Sequence, residues 1–557
     1  MKTLSMLLIS AFLALPGPVA LRAQEIFDAI RGGDIAKVKE LVEKDTQLVK
    51  ARNARQSTPL HVAVDLDNEP MARYLIEKGS DVNALNSNEW TPLFYARTIN
   101  IARLLVDKGA DIRTGMPLAW MLATGRKDVA ELLLDKGAGL PEIGTDQSLL
   151  FLVRSLRCGS SKFLDKYLQR GFDPLYESPT KNNLLHYASE SDSAELIDRL
   201  IGLGVPPNKT NMFGWKPLHI AAVKGNLRTM TSLLKNDRGL NARTNDGKTP
   251  YNLAVGAKKD ETVEYLKSMG ADQGPARFPE LRGGYMGQPR AGKKAVPFAP
   301  GILSPLHEYH GAITFTPDGN DMYWSAYVDE SGASIWHAKR ENGKWREPEF
   351  FSKGDVPFIS PDGKKFYFVA SKPVQGGTKE VICIRDRTAS GWSEPKELPE
   401  IINSMPRIHW QVSVDDRGNL YFGASAETGS RIYSSGFTGG AYGKPQMIEG
   451  LKDLEAFSPY IAPDGGYLII TKAEGGEDLV ILFKKKDGTW TKGIELSGYI
   501  GTKGAFCPIV TPDGRSLFFV CGIDGKYAPF WVDASFIQDL RKEALKGDNV
   551  TARGGRS

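Results

Sequence analysis

Phe315-Thr316-Pro317-Asp318-Gly319 is the phrase on which the second half of this chain turns. It returns as Ile359-Ser-Pro-Asp-Gly363, Val412-Ser-Val-Asp-Asp-Arg-Gly418, Ile461-Ala-Pro-Asp-Gly465 and Val510-Thr-Pro-Asp-Gly514, at intervals of 44 to 53 residues. Each copy leads into an apolar run such as Met322-Tyr323-Trp324 or Phe366-Tyr367-Phe368. Between two such runs Pro presets φ and Gly accepts a positive φ, which makes a hairpin turn. Hairpins recurring at this period predict the blades of a β-propeller, a platform for binding. In the first copy Gly311 to Phe315 reads as the innermost strand, Met322 to Ser325 as the second, Ser334 to Lys339 as the third and Trp345 to Phe351 as the outermost. The outer strand has its own signature: Gly343-Lys-Trp-Arg-Glu-Pro348, Gly391-Trp-Ser-Glu-Pro395, Tyr442-Gly-Lys-Pro445 and Gly488-Thr-Trp-Thr-Lys492. The fifth copy lacks it, because after Phe530-Trp-Val-Asp533 the chain reads as a helix. Residues 296 to 303 form a spare strand, and the expectation is that they complete the fifth blade and close the ring, leaving no open sheet edge.

Upstream, from residue 24 to 273, a second repeat runs at a period near 33. Its lines are Thr58-Pro-Leu-His-Val-Ala63, Lys216-Pro-Leu-His-Ile-Ala221, and the looser Thr91-Pro-Leu-Phe-Tyr-Ala96, Leu184-Leu-His-Tyr-Ala188 and Thr249-Pro-Tyr-Asn-Leu-Ala254. An amphipathic stretch and a Gly turn follow, as in Met71-Ala-Arg-Tyr-Leu-Ile-Glu-Lys-Gly79 and Ala130-Glu-Leu-Leu-Leu-Asp-Lys-Gly137. Thr-Pro starts a helix, small Ala lets paired helices approach, and Gly ends the second helix in a left-handed turn. No single unit can bury its apolar face alone, so units stack. These lines resemble the ankyrin repeat, with about eight units. The spacing from Pro92 to Pro117 is only 25 residues, so the third unit is expected to have lost part of its helix pair. The unit near Ser148 has Ser-Leu-Leu-Phe in place of Thr-Pro-Leu-His. The resemblance implies that His61, His186 and His219 tie each hairpin to its neighbour. Trp90 and Trp215, just before the same line, fall near hairpin tips and are candidate protein-binding residues.

The domain plan is then a signal peptide at 1–23, ankyrin repeats at 24–273, a Pro- and Gly-rich linker at 274–295, a propeller at 296–540 and a tail at 541–557. The propeller half resembles the WD-repeat-like propellers of the TolB type, which imply an envelope or secreted protein. Five motifs predict five blades; six, common in that family, is the alternative. The third turn, Asp415-Asp-Arg-Gly418, lacks the family's Pro.

Composition narrows the function. Lys2, the apolar run from Met6 to Leu15 and Pro16-Gly-Pro18 read as an export signal cleaved after Ala20 or Ala23, giving a periplasmic or secreted protein. No later stretch is apolar for long enough to span a membrane. The net charge of +5 is spread over 71 basic and 66 acidic residues without a basic stripe, which argues against nucleic-acid binding. Four cysteines make neither a disulfide framework nor a metal motif, though Cys507 and Cys521 flank one turn and could pair. No cofactor or metal is expected.

Ligands of a propeller meet the channel mouth, which is lined by residues just before each inner strand. Counting back from the turns gives Glu308, Tyr309 and His310; Asp355; Arg407, His409 and Trp410; Glu455 and Phe457; and Lys503 and Phe506. Such a mixture suits a polar ligand or a peptide. The leading expectation is a non-enzymatic scaffold for a protein partner. The rival is a secreted glycan-acting hydrolase, or a glycan-binding protein, with Glu308, Asp355 and Glu455 supplying the carboxylate pair that hydrolysis needs.

Overall fold

The computed structural model describes residues 18–546, apart from 114–116, 238, 304–307, 328–331, 375–376, 427–428 and 474–475. The apolar part of the expected signal peptide and the tail from residue 547 lie outside the described residues.

The first half is a stack of paired helices. The repeat line caps each first helix. Thr58 Oγ1 accepts from the His61 N–H, and the His61 ring accepts in return from the Thr58 N–H at 3.1 Å, a reciprocal capping box with Pro59 in the first turn. Helices Pro59–Asp65 and Glu69–Glu77 follow from that start, and Gly79 closes the pair at φ 94. Eight such pairs run from Pro18–Arg31 to Asp260–Ser268 among the described residues. One apolar core runs through all of them, from Ile26 and Phe27 to Leu266. In the shortened third unit the first helix is reduced to a 3-10 turn, Pro92–Tyr95. The unit without Thr-Pro-Leu-His instead begins with a longer helix, Asp146–Arg157, capped by Thr145.

The second half forms five antiparallel blades, each taken inward to outward in chain order. The first is Glu308–Phe315, Asp321–Tyr327, Ala333–Glu341 and Glu349–Lys353. The expected outer strand from Trp345 is split: Lys344–Trp345 pairs with Arg340 and Glu341 at the end of the third strand, and Glu349–Lys353 pairs with its earlier residues, from Ser334 to His337. The fifth blade is Phe506–Val510, Ser516–Ile523 and Lys526–Asp533, with Val296–Pro297 as its outermost strand. Val296 pairs with Trp531 and Pro297 with Phe530, so the N-terminal end of this half closes the ring. The closing strand is shorter than residues 296–303, because Ala299 turns left-handed at φ 43 and the chain leaves the sheet. Each Pro-Asp-Gly turn works as its chemistry requires. Thr316 Oγ1 donates to Asp318, Asp318 accepts from the Asn320 N–H at 3.0 Å, and Gly319 takes φ 64.

Residues 274–295 pack along the propeller. Met286 is fully buried, and the Tyr285 ring lies against Phe315, Phe518 and Trp531. Trp345 Nε1 donates to Gly283 O at 2.8 Å. The final helix, Phe536–Ala544, buries Ile537 and Leu540 on the same core.

Candidate functional site: ankyrin tips and propeller mouth

The ankyrin histidines are spent on the stack. The His61 Nδ1 accepts from a backbone N–H, so the proton sits on Nε2, which donates to Trp90 O at 3.0 Å. His186 repeats this toward Trp215 O and His219 toward Ala242 O, each at 3.0 Å. Burial holds all three imidazoles neutral, and pushes those of His186 and His219 down to about 4. In the last unit Asn252 does the same work without a titrating group: its Oδ1 accepts from the Thr249 N–H at 3.1 Å and its Nδ2 donates to Gly274 O at 2.9 Å.

Trp90 and Trp215 therefore lend their carbonyls to the preceding unit. The half-buried Trp90 ring stacks on Phe94 at 5.7 Å and tilts against Trp120 at 4.9 Å. The Trp215 ring tilts against His219, and its Nε1 is buried without a hydrogen-bond partner among the described residues.

On the propeller, the inner strands begin on the face opposite the Pro-Asp-Gly turns, and the chain positions chosen by counting all fall there. Glu308 and His310 lie on the strand Glu308–Phe315, and His409 and Trp410 on Ile408–Val414; their side chains are outside the described residues. Asp355 is half-buried, and its Oδ1 accepts from the Val356 N–H at 2.8 Å. The Glu455 carboxylate lies over Gly429 in the hairpin of the third blade. Lys503 is exposed, and its carbonyl accepts from the Cys521 thiol at 3.2 Å. Cys507 turns instead toward Ser458 Oγ, 3.4 Å away on the fourth blade, so the two cysteines are not joined.

All five inner strands carry a register shift close to the mouth. There Val356, Ser458 and Cys507 take φ of 43, 49 and 53, a left-handed backbone that a non-Gly residue adopts at a cost of about 1 kcal/mol or more. Gln411 crosses the throat at this level: its Nε2 donates to Pro508 O at 2.7 Å and Pro459 O at 3.4 Å, bridging the third blade to the fourth and fifth. The side chain is fully buried, so the mouth has a floor.

Counting back from the turns missed a second set of residues at the same end. The hairpins joining second to third strands also lie there, and they bring Glu380, Glu477 and Asp478 to the mouth face. Burial raises the pKa of all three. At Glu380 the Arg407 charge opposes that rise and Asp355 adds to it, so Glu380, Asp355 and Arg407 are electrostatic neighbours.

Among the described residues, no group of three or more His, Cys, Asp or Glu side chains converges as metal ligands, and no helix is long and apolar enough to cross a membrane.

These features define a two-part class: a stack of ankyrin repeats joined to a five-bladed propeller-like ring. A family model described as ankyrin repeats (3 copies) matches residues 26–116 and 185–275. The chain is 27% identical over 232 residues to the human transient receptor potential cation channel subfamily A member 1, covering 40% of this chain and 18% of that protein. It is 33% identical over 95 residues to the rat ankyrin repeat and SAM domain-containing protein 6, covering 16% of this chain and 11% of that protein. The chain thus spans less than a fifth of the length of either relative.

Proposed function

We propose that this protein is an exported scaffold that binds a protein partner through its ankyrin stack and carries a TolB-type propeller as a second binding surface. The observation that carries this reading is the ankyrin match together with the fate of its polar groups. His61, His186 and His219 each hydrogen-bond a backbone carbonyl of the next unit, so their chemistry serves the stack rather than turnover. What the repeats then offer is extended surface. Immobilised full-length protein exposed to an envelope extract is expected to capture one defined protein saturably, and residues 24–273 supplied alone are expected to compete. Absence of any saturable capture would sink this reading.

A second reading, a glycan-binding or glycan-hydrolysing site at the mouth, is favoured by one observation. Glu380, its pKa raised by burial, is an electrostatic neighbour of Asp355, and a pair of carboxyl groups is what glycosidic chemistry uses. If this reading holds as hydrolysis, Glu380→Gln lowers turnover of a responsive glycan by about a hundredfold or more. Unchanged turnover would remove Glu380 from that role, and a mouth that binds glycan without turnover would leave a lectin-like site.

A further inference from the structure

Three ankyrin hairpin tips are built alike, and two depart from their pattern. At the tips beginning with Asn53, Asn86 and Asn211, the Asn Oδ1 accepts two backbone N–H groups, two and four residues on. The distances are 2.9 and 3.0 Å for Arg55 and Ser57, 2.9 and 3.1 Å for Asn88 and Trp90, and 3.0 Å for both Phe213 and Trp215. The tip beginning with Thr244 carries its own acid, Asp246, which accepts from the Thr244 hydroxyl. The tip Ser178-Pro-Thr-Lys-Asn182 has neither device. Its Ser178 Oγ is shorter than an Asn side chain; it accepts the Asn182 N–H at 3.2 Å and lies 2.9 Å from Thr180 Oγ1, so no side chain of the tip takes the amide two residues on. That leaves the Thr180 N–H and at least one hydroxyl proton in need of an acceptor in a buried place, since Ser178 and Thr180 are only 5% and 2% exposed.

The acceptor comes from the propeller. Asp524 Oδ2 accepts from Ser178 Oγ at 2.6 Å, from the Thr180 N–H at 3.2 Å and from Thr180 Oγ1. Asp524 and Gly525, at φ 49 and 72, form the two-residue hairpin between the second and third strands of the fifth blade. That hairpin stands on the mouth face. The tip at Thr244 also reaches across, Asn245 Nδ2 donating to Pro300 O at 2.9 Å, and its Gly247 O accepts from the Arg277 N–H of the connecting segment at 3.4 Å, while Phe213 of the Asn211 tip lies against Gly301.

We propose that the Ser178–Asn182 tip is a carboxylate-binding site whose resident ligand is Asp524, and that this contact locks the ankyrin stack against the rim of the propeller mouth. The mouth is then bordered on the fifth-blade side by ankyrin tips, and a ligand or partner that approaches it there meets both halves. The tips from residue 178 onward are committed to the propeller, which leaves the tips at Asn53 and Asn86 for external contacts.

The test uses the full chain with two substitutions that preserve each local turn. Asp524→Asn keeps a residue suited to the left-handed hairpin position but removes the anionic acceptor. Ser178→Asn gives the tip the side chain found at residues 53, 86 and 211. With Asp524→Asn, the Thr180 amide is expected to exchange with solvent at least tenfold faster, and solution X-ray scattering to show a larger maximum dimension. With Ser178→Asn, the Thr180 amide stays protected by its own tip while the scattering opens in the same way. Unchanged exchange and scattering in Asp524→Asn overturns the proposal. Faster exchange with unchanged scattering overturns the lock.

Discussion

Replacing Trp531 by alanine is expected to destabilise the propeller by about 3 to 5 kcal/mol, the range for removing a large aromatic side chain from a packed core. Trp531 is 2% exposed and stands where three parts of the ring meet. Its ring lies 5.4 Å from Tyr285 of the connecting segment, 5.1 Å from Phe298 beside the closing strand, and 5.4 Å from Phe518 of the second strand of its own blade. Its backbone pairs with Val296, the residue that closes the ring. Truncation therefore removes the packing that holds the closure in place as well as the apolar contact itself. Denaturant unfolding should show a lower midpoint, and proteolysis should begin between residues 285 and 298. Trp531→Phe should recover most of the loss. A midpoint shift no larger than that of a surface substitution would contradict this account of ring closure.

Acidification from pH 7 to pH 4 is expected to weaken the ankyrin stack through His186 and His219. Both imidazoles ionise near 6.5 in the unfolded chain and near 4 in the folded one, with burial the main cause. Between those values the unfolded chain binds protons that the folded chain does not, so stability falls as the pH drops through this window. Above pH 7 both states are neutral and the contribution is constant. A displacement from 6.5 to about 4 corresponds to about 3 kcal/mol for each histidine once the window has been crossed. The structural cause is specific. In His219 the Nδ1 lone pair accepts from the Lys216 N–H at 2.9 Å, and a proton placed there would face that donor; in His186 Nδ1 meets both the Asn183 N–H at 3.2 Å and Asn183 Oδ1 at 2.7 Å. Asn252 already fills the equivalent place in the last unit. The pair His186→Asn and His219→Asn is therefore expected to keep the stack folded and to flatten the dependence of its midpoint between pH 6.5 and 4. An identical pH dependence in the parent and the double variant would show that these imidazoles do not govern it.

Both repeat classes were legible because their chemistry is local. Thr-Pro-Leu-His caps a helix within four residues, and Pro-Asp-Gly turns a hairpin within five, so the periods of those phrases report the units directly. The missing outer strand of the fifth blade was also readable, and so was the segment that replaces it. The length of that strand was not, since it depends on where Ala299 leaves the sheet. The mouth was found only in part. Counting back from the turns placed chain positions such as Asp355 and Lys503 on that face, but Glu380 needed the burial and the Arg407 charge that the folded blade supplies. Cys507 and Cys521 looked poised to pair because they flank one turn. The register shift in the strand Phe506–Val510 turns Cys507 toward Ser458 on the fourth blade instead.

The sequence by itself determined two stacks of repeats, their order, the capping and turning residues of each unit and the face of the propeller that lies away from the Pro-Asp-Gly turns. Tertiary structure alone decided that Gln411 floors the throat, that burial holds the ankyrin imidazoles neutral, and that Asp524 meets a tip 344 residues earlier in the chain. The division follows from range. Caps and turns are satisfied by neighbours a few residues away, whereas burial and the pairing of Ser178 and Thr180 with a distant carboxylate exist only once both halves have folded and met.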